Sequence, residues 1–241
     1  MLDIKTIGVL AYHRCSESDT IIPWEILTGV ALHLKQNFNR TLEVKLVAVE
    51  NALDSDGLIE MQMGARVKPH AVLRDGDLFD MLYVPGGNGS GVATKNQQVL
   101  DVIKHHHDSQ RFIAANCVGV GILQRAGVLG KTPVTCSPPI SRRLREEGAS
   151  VVEPRTMWLG SPDDRMWTTA GASSINAGTV AMINYLFGED VGREMSMWFD
   201  TAGAVGQELY NLRGHEYYFY PEAEAALQDA TADTLLPPLR A

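Results

Sequence analysis

The sequence has no long apolar run and no even set of cysteines. No apolar stretch among its 241 residues approaches the ~20 that a membrane-spanning helix needs, so we expect no membrane partner. Three cysteines do not make a disulfide framework, and their number predicts free thiols in a reducing compartment. The N-terminal stretch MLDIKTIGVLAYHR carries an acidic residue and lacks a small-residue cleavage site, so we expect a first strand and a cytoplasmic protein.

Positive charge is scarce as well. Lysine and arginine number 21 against 29 aspartate and glutamate residues, a formal charge of −8, and no basic cluster with aromatic neighbours stands out. We therefore expect no nucleic-acid partner. The short spacings of a Cys/His metal site, such as Cys-x-x-Cys, are missing, and VPGGNGSG lacks the Gly-x-Gly-x-x-Gly pattern of dinucleotide sites. We expect neither a metal nor another cofactor.

Apolar runs alternate with amphipathic stretches through residues 1–202, at the intervals of βα units. The first run, TIGVLAY, predicts a strand buried on both faces. A helix is predicted over residues 20–36, with Ser18 or Asp19 as N-cap and Pro23 near its first turn. Further strands are predicted at 42–50, 61–67, 80–84, 111–115, 150–154 and 165–171, and further helices at 94–107, 138–149 and 174–188. This alternation is absent from residues 203–241, for which we expect an extension that packs on the α/β domain or on a dimer partner.

One cysteine lies where a predicted strand turns into a predicted helix, in FIAANCVGVGILQRAGVL at residues 112–129. At such a corner Cys117 is close to the positive end of the helix dipole and to unpaired backbone N–H groups, which favour thiolate over thiol. The glycine loop after residues 80–84 ends at the same edge of a parallel sheet, where open α/β folds bind ligands. Cys117 is thus a candidate nucleophile; the alternative is one more small, buried hydrophobic side chain.

Three blocks in order, VPGGNGSG, FIAANCVGVGILQRAGVLGKTPVT and TTAGASSINAGTVAMINYLFG, resemble the ThiJ/PfpI superfamily of class I glutamine amidotransferase-like proteins. The resemblance covers about residues 4–200 and is closest to the isocyanide hydratase branch. It implies a flavodoxin-like, three-layer α/β sandwich with a mainly parallel central sheet and a cysteine nucleophile elbow. A homodimer is also implied.

The resemblance implies roles for the residues of the crevice. Cys117 matches the nucleophile of the family. Gly86, Gly87 and Val118 match the positions whose backbone lines the pocket and stabilises developing negative charge. Glycine suits this role because the backbone approaches closely without a Cβ atom.

An acidic residue is also expected to reach the thiol from the helix after the first strand. Asp19 is the preferred candidate, because DTIIPWEIL keeps the Asp-x-x-x-Pro spacing of the essential aspartate in isocyanide hydratases. Glu17 and Glu25 are alternatives. Burial beside a thiolate would raise the pKa of such a carboxyl group and let it transfer a proton. A simple helix N-cap is the other interpretation of Asp19.

Two positions depart from the family pattern. In PVTCS, Cys136 is expected at the place where many members have a histidine that pairs with the cysteine, and Val118 replaces a hydroxyl residue common in isocyanide hydratases. The further candidates for the pocket lining are Cys15, Trp24, Asn116 and Cys136. Cys15 and Cys136 are alternatively passive.

The resemblance implies a lyase that adds water to a small isocyanide through a cysteine thioimidate and releases an N-substituted formamide. An alternative is a cysteine-dependent enzyme for another small electrophile. A further alternative is a non-enzymatic redox- or ligand-sensing protein in which Cys117 is oxidised.

Overall fold

The computed structural model describes residues 3–74, 76–201, 206–216 and 220–239, except for the side chain of residue 207. The strands are β1 Thr6–Ala11, β2 Glu43–Val49, β3 Ile59–Glu60, β4 Arg66–Val67, β5 Ala71–Leu73, β6 Met81–Val84, β7 Phe112–Asn116, β8 Trp158–Ser161 and β9 Met166–Thr169. The α-helices are α1 Glu17–Phe38, α2 Ser90–Ala93, α3 Gln97–Asp108, α4 Gly119–Arg125, α5 Pro138–Glu146, α6 Ile175–Phe187, α7 Glu189–Trp198 and α8 Pro221–Leu235.

Seven strands form one sheet in the order β5-β2-β1-β6-β7-β9-β8, and only β8 runs antiparallel to its neighbour. Helices α1, α6 and α7 pack together, and α2, α3, α4, α5 and α8 form a second group. The strand order runs from β1 toward one edge of the sheet and from β6 toward the other. Because crossovers between parallel strands are right-handed, this reversal places the two groups of helices on opposite faces. The predicted α/β sandwich with a mainly parallel sheet is confirmed.

The central strands owe their position to uninterrupted apolar sequence. In β6 and β7 every residue is buried, as a strand covered on both faces requires. Their register pairs Val84 with Ala115, and Asn116 pairs with Thr169 of β9. The carboxyl ends of β6, β7 and β9 therefore lie side by side at one edge of the sheet.

Three local predictions are wrong. Helix α1 begins at Glu17, with Ser16 as N-cap, so Pro23 lies inside the helix rather than near its first turn. Residues 150–154 do not form a strand, because Val151 makes only an isolated bridge to Val134 before Pro154, which has no N–H to pair. Residues 61–67 are not one strand either: a turn separates β3 from β4.

Helix α8, which lies in the predicted extension, packs on α5. Gln228 donates hydrogen bonds to the Pro138 carbonyl (3.0 Å) and the Ser141 hydroxyl (2.9 Å). Arg143 forms an ion pair with Asp233 at 2.6 Å. The predicted boundary at 202 and 203 lies outside the described residues.

Among the described residues, we find no helix that combines the length and the apolar character needed to cross a bilayer.

Candidate active site

A cavity of about 720 Å³ opens at the carboxyl edge of the sheet, within the ~300–1,000 Å³ range of small-molecule sites. Asp19, Gly87, Cys117, Val118, Ser137 and Gly171 are among its lining residues. They come from α1, from the loops after β6, β7 and β9, and from the start of α5. The strand order thus brings together segments that lie far apart in the sequence.

Cys117 occupies a sharp turn between β7 and α4. Its φ of +55° is in the left-handed region, which is unusual for a residue with a Cβ atom. Its N–H donates to the Thr169 carbonyl at 2.9 Å, which fixes the turn to β9. A methyl group at Gly119, the first residue of α4, would stand 2.6 Å from the Pro85 carbonyl oxygen, so the turn needs a glycine there. The result is a thiol held at the cavity surface by a strained backbone.

Asp19 projects from the first turn of α1 toward this thiol. Its N–H approaches the Ser16 hydroxyl at 3.4 Å, so Ser16 is the N-cap and the Asp19 carboxyl is free for another role. A methyl group at Gly86 would stand 2.5 Å from Asp19 Oδ2 and 2.7 Å from Cys117 Cβ. The absence of a side chain at Gly86 is what allows the carboxyl and the cysteine to meet. The interpretation of Asp19 as a simple N-cap is therefore wrong.

The two alternative carboxyl groups have other positions. Glu17 lies at the cavity, but its carboxylate accepts the N–H of Met63 at 2.8 Å, in the turn between β3 and β4. Glu25 is exposed on α1 and does not line the cavity. Asp19 is the carboxyl group that faces Cys117.

Burial dominates the electrostatics of the pair. It raises the pKa of Asp19 from 3.8 to about 6, and the nearby Cys117 thiol and Gly86 amide offset part of this rise. Burial and the Asp19 charge raise the pKa of Cys117, while the Ser137 hydroxyl and the Val118 amide act in the opposite direction. The expectation that the helix corner favours thiolate is wrong for the resting site, because desolvation outweighs the nearby amides. Near neutral pH the pair carries one negative charge and one proton.

The three backbone positions predicted for the pocket differ in whether their N–H group already has an acceptor. Gly86 N–H donates to Asn116 Oδ1 at 2.9 Å, so it is not available to a ligand. Among the described residues, none accepts the N–H of Gly87, whose φ of +124° suits only glycine. Val118 lines the cavity, and its amide lowers the pKa of the adjacent Cys117 thiol. Gly87 therefore supplies the amide that can face a bound ligand, whereas the Val118 amide lies next to the Cys117 sulfur.

Comparison with known proteins identifies the architecture. The DJ-1/PfpI family pattern matches residues 5–181. The chain belongs to the DJ-1/PfpI family. It is 26% identical to isonitrile hydratase of Pseudomonas putida over 201 residues, which cover 82% of this chain and 79% of the relative.

Two solved DJ-1/PfpI structures show the same fold. Drosophila melanogaster DJ-1beta superposes with a TM-score of 0.68 at 19% identity, covering 81% of this chain and 97% of the other. A ThiJ/PfpI family protein from Pseudomonas syringae superposes with a TM-score of 0.70 at 18% identity, covering 97% of this chain and 88% of the other. The resemblance inferred from the sequence motifs is confirmed.

None of the four further pocket candidates of this DJ-1/PfpI chain is among the described residues that line the cavity. Cys15 and Cys136 are fully buried in the core. Trp24 packs against His70 with ring centroids 5.5 Å apart. It lies five residues after Asp19, about 140° further around α1, so it cannot share the face that Asp19 presents to the cavity. Asn116, the fourth candidate, is buried directly behind the lining.

Ser137 is a site residue, next to the thiol, that the sequence analysis missed. Its side chain lines the cavity, and its buried Oγ has no nitrogen or oxygen partner. Cys136 was expected opposite the thiol, but Ser137 occupies that place. Successive side chains of an extended segment point in opposite directions, so Ser137 faces the cavity and Cys136 faces the core. Gly171 completes this wall: a Cβ there would stand 3.8 Å from Cys117 Sγ and 3.5 Å from Ser137 Cβ.

Among the described residues, no group of three or more His, Cys, Asp or Glu side chains could hold a metal ion.

Proposed function

We propose that this protein adds water to a small isocyanide and releases an N-substituted formamide. The observation that carries the proposal is the meeting of the Asp19 carboxyl and the Cys117 thiol at the wall of the cavity. No histidine is among the described residues that line it. A thiol paired with a carboxyl group suits nucleophilic addition with proton transfer, the chemistry of isocyanide hydration. The distant likeness to isonitrile hydratase supports this substrate class.

The first step forms a covalent bond between sulfur and the terminal isocyanide carbon. As Cys117 Sγ attacks R–N≡C, its proton passes to Asp19, whose carboxylate is the nearest base. Asp19 then delivers that proton to the attacked carbon, which leaves the thioimidate R–N=CH–S on Cys117. A pKa of about 6 suits a group that must both accept and donate a proton near neutral pH.

The second step consumes water. Asp19 accepts a proton from a water molecule as its oxygen adds to the thioimidate carbon, and passes this proton to the nitrogen. As the C–S bond breaks, the proton of the added hydroxyl passes through Asp19 to the Cys117 sulfur and leaves the formamide carbonyl. The products are R–NH–CHO and the Cys117 thiol, so atoms and charge balance. The N–H of Gly87 and the hydroxyl of Ser137 are two polar groups of the wall that can hold the adding oxygen.

Formamide production from a panel of alkyl and aryl isocyanides, without added metal, tests the proposal. The expected result is turnover by the native protein and none by Cys117→Ala. Cys136→Ala is the matched control, because this cysteine is buried outside the cavity and its loss should leave turnover unchanged. Absence of formamide from every isocyanide, with Cys117 still open to alkylation, would contradict the proposal and indicate a different small electrophile.

A further inference from the structure

Asn116 ends β7 immediately before Cys117, and its side chain is completely buried. Its Oδ1 accepts the Gly86 N–H at 2.9 Å. Its Nδ2 donates to the Asp19 carbonyl at 2.9 Å and to the Tyr83 hydroxyl at 3.1 Å. Because an N–H can only donate and a carbonyl can only accept, these partners fix the orientation of the amide. One buried side chain thereby connects β7, the glycine loop and α1.

The bond to Asp19 replaces one that α1 lacks. In a regular helix the Asp19 carbonyl would accept the N–H of the residue four positions later, but that residue is Pro23, which has none. A buried carbonyl without a donor is unfavourable. The Asn116 amide supplies the missing donor, so the helix interruption directs the first turn of α1 toward β7.

We propose that Asn116 is a positioning residue that holds Asp19 and Gly86 around Cys117. It does not touch the substrate. Its role is to set where the Asp19 carboxyl lies relative to the sulfur. The link to turnover rests on the proposed function, whereas the link to thiol reactivity does not, so the experiment measures thiol reactivity.

The pH dependence of Cys117 alkylation by iodoacetamide measures this positioning. In alkylation the sulfur bonds to the reagent's carbon, iodide leaves, and the thiol proton passes to Asp19. In the native protein, the rate should rise with a midpoint near pH 6 as Asp19 ionises. In Asn116→Leu this step should disappear and the rate at pH 7 should fall about 10- to 100-fold, because the proton acceptor is displaced.

Asn184→Leu is the matched control. Asn184 lies on α6, outside the cavity lining, and its side chain is buried. Its amide donates to the Leu209 carbonyl at 2.8 Å. Its loss should lower the melting temperature and leave the pH profile of Cys117 unchanged. Peptide mapping assigns the label to Cys117 in each variant.

If Asn116→Leu does not fold, Asn116→Ser provides the same test, since a smaller polar side chain places no alkyl group against the Asp19 carbonyl and the Gly86 N–H. A folded Asn116 variant that keeps both the native rate and the step near pH 6 would overturn the proposal. Loss of the step together with native-like circular dichroism supports it, whatever the isocyanide assay shows.

Discussion

At the scale of single residues, burial of the Asp19 carboxyl beside Cys117 lowers the free energy of unfolding. Its pKa is about 6 in the folded chain against an ordinary 3.8. The folded state therefore binds more protons than the unfolded state between these values, and the free energy of unfolding falls as pH rises through this window. Above pH 6 the whole unfavourable contribution is present.

The substitution Asp19→Asn removes this ionisation. We expect the free energy of unfolding at pH 7 to rise by about 1–3 kcal/mol and its fall between pH 4 and 6 to flatten. Turnover should fall by about 10²- to 10⁴-fold, because the proton acceptor is lost. Urea denaturation at several pH values and the formamide assay measure the two effects. Glu17→Gln is the control, and abolished turnover in that variant with full turnover in Asp19→Asn would show that the wrong carboxyl group was chosen.

Ser137 has the opposite influence on the thiol. Because its hydroxyl lowers the pKa of Cys117, Ser137→Ala should lower the rate of Cys117 alkylation above the Asp19 step and slow turnover. Ser141→Ala, on the same helix but outside the cavity lining, should change neither. An unchanged alkylation rate in Ser137→Ala would mean that the hydroxyl does not interact with the sulfur.

At the scale of elements, the glycine loop after β6 and the turn between β1 and α1 fit together without side chains between them. The Ser16 N–H donates to the Gly86 carbonyl at 3.0 Å, and the Gly89 N–H donates to the Arg14 carbonyl at 2.9 Å. This contact positions the first turn of α1, and therefore Asp19, over β7. The glycine loop therefore both lines the cavity and holds the Asp19 carboxyl in position.

Gly86→Ala tests this close fit. The added methyl group would collide with Asp19 Oδ2 and Cys117 Cβ, so we expect turnover to fall by on the order of 10²-fold or more. Gly29→Ala in α1 is the control, because a methyl group there would meet Phe199 at 3.4 Å, an ordinary contact. Comparable turnover in the two variants would contradict the assigned geometry.

The sequence predicts the strands that are buried on both faces. It does not predict strand β8 and helix α8, which bury only one face. Uniformly apolar strands such as β1 and β7 are visible as such, and so are the glycine loop and Cys117 between them. Strand β8 was missed because Trp158 is its only fully buried residue at the sheet edge. Helix α8 was missed because two of its three buried positions, Gln228 and Ala232, are polar or small.

Site residues could be predicted where a pattern within one segment of the sequence identifies them. They could not be predicted where their role depends on how two segments pack against each other. The choice of Asp19 rests on the resemblance of its spacing to Pro23 to the pattern of isocyanide hydratases. The sequence predicted Ser18 or Asp19 as the N-cap, whereas the folded loop makes Ser16 the N-cap. Ser137 carries no pattern of its own. Its role arises only because Cys136 turns into the core.

At the scale of the whole molecule, α8 closes one side of the cavity. Leu235 lines the cavity, and its carbonyl accepts the Ser90 hydroxyl of α2 at 2.8 Å. Glu224, also on α8, lies 3.8 Å from Arg155, another residue of the cavity wall. The shape of the site therefore depends on a helix that follows the residues matched to the family, 5–181.

Gly91→Ala should loosen this helix, because a methyl group there would overlap the Thr234 carbonyl. We expect faster hydrogen exchange in α8 and a higher KM for bulky isocyanides than for small ones. Val92→Ala, an exposed position in the same short helix, should leave both unchanged. Unaltered exchange in Gly91→Ala would show that α8 is held elsewhere.

The homodimer implied by the sequence motifs and the cytoplasmic location stay predictions. Sedimentation equilibrium of the full chain distinguishes a dimer from a monomer of 26.4 kDa.

The burial of two of the three cysteines has a practical consequence for enzymology. Cys15 and Cys136 have no exposed surface, whereas Cys117 is only partly covered. A thiol-specific label should therefore bind with a stoichiometry of one per folded chain, and the labelled fraction counts the intact sites in a preparation. Turnover numbers normalised to that count become comparable between variants, because inactive or oxidised molecules drop out of the denominator.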